Sequence, residues 1–257
     1  MDNTKYFPAV EDIQKASGVL EEILEPTPLQ KNPNLSDVYD AQVYLKREDL
    51  QMVRSYKIRG AYNKIRSIAP GVLKYGIVCA SAGNHAQGVA FSCNKLHIMG
   101  SIYMPVTTPR QKIEQVRMFG KEYIDIVLVG DTFDAANAAA IEYAKKSGKT
   151  FIPPFDDQKI IEGQGTIGYE ILSQAKVAPD YVFVPIGGGG LASGVGSYIK
   201  TLSPQTKVIG VEPAGANCIQ QSLRQGKVVT LPHVNTIADG TAVKTPGDKL
   251  LPLISQY

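Results

Sequence analysis

From residue 43 onward, short runs rich in β-branched residues alternate with segments of helix length, and this alternation constrains the fold more than any other feature. Val43–Lys46, Gly76–Ala80, Met99–Met104, Asp125–Val129, Asp180–Ile186 and Lys207–Val211 read as strands. Asn84–Leu96, Pro109–Phe119, Phe133–Lys146 and Leu191–Thr201 read as helices, and Thr108 before Pro109 predicts a capped first turn. Strands joined through helices run parallel, so the pattern predicts an α/β fold of mostly parallel twisted sheets flanked by helices. The proline-containing stretch Phe151–Asp157 interrupts the alternation and marks a lobe boundary or hinge. With 257 residues the chain can form one large domain or two lobes around a substantial core.

The balance of 44% hydrophobic and 20% charged residues is that of an ordinary globular protein. A formal net charge of +3, spread without a Lys/Arg block, gives no footprint for nucleic acid. No apolar run approaches the roughly 20 residues that span a bilayer, and the start, MDNTKYFPAVEDIQ, lacks the regions of a secretory signal. A cytoplasmic location is the expectation. Cys79, Cys93 and Cys218, odd in number and widely spaced, predict buried thiols rather than disulfides or a zinc site.

Three loops carry chemistry. In the first, Gly187-Gly188-Gly189-Gly190-Leu191 follows an apolar strand and opens a helix. Backbone without Cβ atoms can approach an anion closely, and a helix N-terminus supplies free N–H groups, so the turn reads as a phosphate cradle. A dinucleotide site competes, because Gly187, Gly189 and Ala192 also satisfy a G-x-G-x-x-A spacing and Glu212 stands where a ribose-binding acid would fall.

The second loop, Ser55-Tyr56-Lys57-Ile58-Arg59-Gly60, opens a helix. Taken alone, Lys57 is a solvated lysine. Beside an aromatic ring and a second cation, with Arg59 expected to keep its amine deprotonated, Lys57 becomes a candidate for Schiff-base chemistry. The third, Ser81-Ala82-Gly83-Asn84-His85-Ala86-Gln87-Gly88, places small residues and free amides at a helix start, which suits a carboxylate; a turn capped by Asn84 is the plainer reading.

Together with Pro26-Thr27-Pro28-Leu29, Tyr44-Leu45-Lys46-Arg47-Glu48-Asp49, Met104-Pro105-Val106-Thr107-Thr108-Pro109 and Ala238-Asp239-Gly240-Thr241-Ala242, these loops resemble the tryptophan-synthase-β-like family of pyridoxal-phosphate enzymes, fold type II. The likeness extends from Glu11 to Leu251 and is greatest with the branch that eliminates ammonia from hydroxyl-bearing amino acids.

The resemblance implies pyridoxal 5'-phosphate as cofactor, attached to Lys57, with Gly187, Gly188, Gly189, Gly190 and Leu191 around its phosphate. It also implies Asn84 at the ring 3′-oxygen, Tyr56 beside the ring and Gly240 near its far edge. Ser81, Ala82, Gly83 and His85 would receive the substrate carboxylate. The implied reaction is β-elimination and deamination of L-threonine to 2-oxobutanoate and ammonia, the first step of isoleucine biosynthesis, with L-serine giving pyruvate. A small lobe at residues 74–153, a large lobe at 1–73 with 154–257, and a homo-oligomer, dimer or tetramer, are implied as well.

Family members continue with a stretch that completes the large lobe and supplies a Ser, Cys or Thr partner for the pyridine nitrogen. The large lobe is therefore expected to be incomplete, closing without an obvious strand or helix after the Pro/Gly-rich stretch 245–253, and no isoleucine-sensing regulatory domain is expected. An inactive fragment is the corresponding alternative. A cation site of relatives would use Glu212 and the Ala216 carbonyl, although Cys218 stands where some carry aspartate. A racemase or β-replacing enzyme is the near alternative. Ala82, lacking the hydroxyl a racemase would be expected to place there, favours elimination.

Overall fold

The computed structural model describes residues 6–235 and 237–256. Residues 1–5 of the start read above for a secretory signal, and the final Tyr257, lie outside the described residues. Helix α1 (Val10–Leu20) leads to an antiparallel pair, β1 (Leu29–Lys31) and β2 (Tyr44–Lys46), joined through α2 (Pro33–Tyr39). Helix α3 (Lys57–Arg66) and a single turn, α4 (Pro70–Leu73), follow.

Then β3 (Ile77–Ala80), α5 (Asn84–Leu96), β4 (Gly100–Met104), α6 (Arg110–Gly120), β5 (Ile124–Leu128), α7 (Phe133–Ser147) and β6 (Thr150–Phe151) build a parallel four-stranded sheet in the order β5-β4-β3-β6. Helix α8 (Gln158–Gln174) leads to a second parallel sheet of β7 (Tyr181–Pro185) and β8 (Lys207–Val211), connected by α9 (Gly190–Leu202). Helices α10 (Cys218–Gln225) and α11 (Leu250–Ile254) complete the elements.

The alternation of side chains along a strand divides the first sheet's core in two. Ile77 and Cys79 of β3 face α3, α5 and α6 in one cluster; Val78 and Ala80 face α7 in another. Helix α7 can lie close to the sheet because Ala136, Ala140 and Ala144 fall on one face at four-residue spacing. Its ends are specified locally: Thr132 Oγ1 accepts from Ala135 N at 3.2 Å, and Gly148 terminates it in the left-handed conformation. A separate cluster around α8, α9 and the second sheet includes Ile161, Val184, Leu191, Val195 and Ile199.

The predicted α/β class and its parallel sheets stand, with strand ends shifted by a residue or two, except that the strand read at Val43–Lys46 pairs antiparallel with β1 in a separate two-stranded sheet. Two local expectations are corrected. Thr108 caps nothing: α6 begins at Arg110 after Pro109, without a side-chain cap, and the Thr108 hydroxyl is buried without a partner. A short helix, α11, forms where no strand or helix is expected, with Leu250 and Leu253 buried against the second sheet's cluster.

Helix α8, absent from the predicted elements, is the longest described helix, at 17 residues. Its glycines lower helix propensity, but they let neighbouring helices approach. A Cβ on Gly194 of α9 would lie 2.6 Å from Gly165 N of α8 and closer still to the Ile161 carbonyl. On its other side, a Cβ on Gly163 would sit 2.7 Å from the Arg59 carbonyl of α3. Helices α3, α8 and α9 therefore pack nearly backbone to backbone.

The chain passes between the two sheets through residues 152–157. Ile152 is fully buried, and its carbonyl lies 3.0 Å from Nε2 of the buried His85. A carbonyl only accepts, so that nitrogen carries the proton. Asp157 caps α8 through Lys159 N (2.8 Å) and Ile160 N (3.3 Å) and pairs with Lys64 of α3 at 2.7 Å.

Two predictions concern this framework. Gly194→Ala forces α8 and α9 apart and should lower stability by about 1–3 kcal/mol in denaturant unfolding; an unchanged midpoint would contradict the close approach. Burial, aided by the Lys57 charge, pushes the His85 imidazole from 6.5 down to about 3. The unfolded chain therefore takes up a proton that the folded chain refuses. Stability tied to His85 is fully present above pH 6.5 and is lost as pH falls toward about 3, at up to about 1.4 kcal/mol per pH unit. In His85→Gln, the slope of stability against pH across that window should flatten.

Candidate functional site

Lys57 is the first residue of α3, the helix that packs between α5 and α8. Its Nζ donates to the Pro154 carbonyl at 2.9 Å and stands 5.5 Å from the centroid of the Tyr56 ring. Burial lowers the amine from 10.5 to about 8, so a substantial fraction is neutral near physiological pH. This corrects the role expected for Arg59. The Arg59 guanidinium is buried and bound by the Glu48 and Glu170 carboxylates, and desolvation is the cause of the Lys57 shift.

Pro154 connects the amine to the tetraglycine turn through the next residue. The Phe155 ring covers the turn so closely that a Cβ on Gly188 would fall 2.5 Å from its Cδ1. Gly189, at φ +102°, adopts a conformation that side-chain-bearing residues rarely take, and α9 starts at Gly190. Among the described residues, no backbone bond outside regular elements engages the amides of Gly187, Gly188 or Gly189. Those of Gly190, Leu191 and Ala192 belong to the first turn of α9, where the helix offers no acceptor. Six successive amides at a 13-residue helix's N-terminus are therefore candidate donors to an anion.

The third loop closes another side. Ser81 Oγ accepts from Gly83 N at 3.1 Å, and Gly83 precedes α5. Asn84 is the first helical residue rather than the cap, its exposed carboxamide making no bond with the described residues. A Cβ on Gly83 or on Gly240 would meet nothing within 4 Å, so both border open space. Gly240 lies in the turn Asp239–Thr241, and a Cβ on Gly187 would be 3.2 Å from Thr241 Cα.

The structure thus brings Lys57 together with the tetraglycine turn, and Gly187 with the Gly240 turn. His85 differs from the rest of its loop in being buried: its imidazole contacts the Ile152 carbonyl and lies close enough to Lys57 to feel its charge. Ala82 packs against the first sheet's core, and Leu191 is buried. Pro154 and Phe155 were missed as site residues. The unusual FIPPFDD stretch is the available signal, although its prolines point to a lobe boundary or hinge rather than to a site.

At the other candidate site both Glu212 oxygens are engaged, by Ile219 N (3.0 Å) and Gln220 N (2.8 Å) at the start of α10. Ala216 is buried, and Cys218 Sγ lies 3.9 Å from the Gly187 carbonyl. No cluster of three or more His, Cys, Asp or Glu residues among the described residues is arranged to hold a metal ion. The three thiols are buried and free; burial raises Cys93 to about 12 and Cys218 to about 11, so neither is an activated nucleophile.

A family model described as pyridoxal-phosphate dependent enzyme matches residues 20–257. The chain is 56% identical over 239 residues to the biosynthetic L-threonine dehydratase of Halalkalibacterium halodurans, covering 93% of this chain and 58% of that protein. It therefore spans little more than half the length of that relative. Among solved structures, the processed form of threonine deaminase isoform 2 from Solanum lycopersicum superposes with a TM-score of 0.92 at 44% identity, over 96% of this chain and 66% of that one. Maize serine racemase superposes equally well, at 0.92, with 31% identity over 97% of this chain and 74% of that one. A buried lysine amine, six amides at one turn and a match over nearly the whole chain agree: the chain belongs to the family of pyridoxal-phosphate dependent enzymes.

Proposed function

We propose that this chain is the catalytic portion of a threonine ammonia-lyase that converts L-threonine to 2-oxobutanoate and ammonia, and L-serine to pyruvate. The observation that carries the reading is the partly neutral Lys57 amine beside Pro154, one residue from the ring that covers the tetraglycine turn.

The residues suit the cofactor. The six amides of residues 187–192 would hold its phosphate, Lys57 its aldehyde, Asn84 a ring substituent, and Tyr56 would pack beside the ring, with Gly240 opposite. When bound, pyridoxal phosphate supplies an aldehyde that takes up the substrate amine and a ring that accepts the electron pair left on breaking the α C–H bond. In its neutral form the Lys57 amine would have the lone pair to remove that α-proton, and the Pro154 carbonyl would direct the amine by accepting one of its hydrogens. The amides around Gly83 leave room for the substrate carboxylate. Phe155 and Tyr56, both half-buried, help shelter the Lys57 amine from water, and that desolvation lowers it to about 8.

The likeness to a serine racemase favours a second reading, racemisation of serine, since both reactions begin with removal of the α-proton. That outcome needs a proton donor on the opposite ring face. The methyl group of Ala82 carries none, which supports elimination.

The lobe division at 74–153 against 1–73 with 154–257 is part of the proposal, supported by the two separate parallel sheets, although Ala61, Ile65 and Ile160 of the larger part pack into the first sheet's cluster. So is a large lobe extended by further chain of the length found in the relatives. Parallel sheets are ordinarily covered on both faces. Here Phe183 is 67% exposed, and Tyr181, Ile209 and Val211 are exposed beside it. A concavity of about 520 Å³, lined by Val208, Gly210, Glu212 and Ile219, opens beside this surface rather than at Lys57. A homo-oligomer is part of the proposal as well. No described helix is long and apolar enough to cross a membrane; a cytoplasmic site of action in isoleucine biosynthesis accords with the proposed reaction.

Borohydride reduction of the chain supplied with pyridoxal phosphate should leave one pyridoxyl group, on Lys57 by peptide mass spectrometry, and Lys57→Ala should take none. A label placed elsewhere would refute the assignment. The initial rate of attachment should climb with pH and level off above about 8, because only the neutral amine attacks the aldehyde. Incubation with L-threonine and separately with L-serine, reading 2-oxo acid against D-serine, distinguishes elimination from racemisation.

A further inference from the structure

We propose that Arg59 is a positioning residue for Lys57, clamping the first turn of α3 from the side away from the amine. The proposal deepens the reading of Lys57 as the cofactor-bearing residue and rests on it.

Lys57 opens α3, and Tyr56, at the cap position, makes no side-chain cap bond. An uncapped first turn is the part of a helix most prone to fray. It is also the part that must hold the reactive amine in one place. Arg59 lies two positions on, about 200° around the helix axis, so the two side chains leave on nearly opposite sides.

Its guanidinium has five N–H donors, and all are used. Nε and Nη2 each donate to Glu48 at 2.8 Å. Nη1 donates to Glu170 at 2.6 Å and to Thr166 at 3.0 Å, and Nη2 donates to Glu170 at 3.0 Å. Glu170 in turn binds Lys46 of β2 at 2.5 Å, and Glu48 accepts from Thr27 at 2.5 Å. Lys46 uses further donors on the Thr27 carbonyl (2.5 Å) and Gln174 (3.0 Å). Arg59 is thereby held from the Thr27 loop, β2, the turn at Glu48 and α8 together, and its own carbonyl packs against Gly163.

A buried ion network of this kind is weak evidence for stability, since well-packed apolar groups often serve as well or better. What a planar fork gripping two carboxylates does provide is orientation. Two cations and two carboxylates leave the cluster neutral, so it steadies the turn without adding net charge behind the amine. The cluster thus acts on Lys57 through the turn: held in place, the turn keeps the amine both in one direction and sheltered from water, and it is that shelter which lowers its pKa.

The test uses the 257-residue chain, first without cofactor. Acetic anhydride labelling of Lys57 across pH, read by peptide mass spectrometry, follows its titration. Arg59→Lys keeps the charge but offers three donors from one point in place of the fork. The labelling midpoint, about 8 in the wild type, should move up toward 10.5, the ordinary lysine value, as the turn loosens and water reaches the amine.

With pyridoxal phosphate added, the rate of borohydride-trapped attachment at Lys57 should fall by about 10- to 100-fold, the scale of a roughly 1 Å misplacement. Ile65→Ala, in the same helix, fully buried and outside the cluster, serves as the control: it should lower Tm while leaving the labelling midpoint and trapping rate at wild-type values. The proposal is overturned if Arg59→Lys titrates and traps like the wild type, or if Ile65→Ala shifts both readouts equally at a similar loss of Tm. Should Arg59→Lys fail to fold, Glu48→Gln, which keeps the side-chain shape and removes one charge, must give the same two shifts. A wild-type chain that traps no pyridoxyl group sinks the proposed function, while the labelling midpoints still decide the role of Arg59.

Discussion

Removal of one lysine amine from water is the constraint on which the site depends. An ammonium group resists burial, so a lysine enclosed at the junction of α3, α5 and α8 gives up its proton more readily than one in solvent. Its short contact to the Pro154 carbonyl satisfies a donor that would otherwise be buried alone. The segment supplying that carbonyl is also the passage between the two sheets. His85 binds the Ile152 carbonyl a little upstream and Asp157 caps α8 just downstream. One stretch of chain thus joins the two cores and aims the amine.

The anion cradle is built from a different resource. Its candidate donors are backbone amides at the head of α9, in a turn whose glycines lack the Cβ atoms that Phe155 and Thr241 would otherwise meet. Phe155 closes the turn from one side and the Asp239–Thr241 turn approaches from another. Glu212, which in a dinucleotide-binding protein would read a ribose, instead holds the first amides of α10. A single carboxylate serving two amides explains why the glycine spacing and the downstream acid could suggest a nucleotide while belonging to another architecture.

Much of the framework could be read along the chain because its signals are local. Strand runs between Ile77 and Val211, the body of α7 from Phe133 to Lys146, and α5 from Asn84 to Leu96 follow from patterns within a few residues. Helix α8 escaped because Gly163, Gly165 and Gly168 argue against a helix until α3 and α9 are seen pressing on them. The Thr108 expectation failed for a related reason: cap chemistry was present, but α6 began past the proline and left the hydroxyl buried.

By itself, the sequence determined the α/β class, the family, and which lysine and which glycine turn to consider together, because local periodicity and distinctive motifs survive without coordinates. Only the tertiary structure decided what those residues experience. It placed Arg59 in a neutral carboxylate clamp rather than beside the Lys57 charge, turned His85 inward, and brought in Pro154 and Phe155, which no motif had singled out. The reason is physical: burial, and the partners a polar group finds there, depend on segments as distant in the chain as 57 and 154, so no window of neighbouring residues contains them.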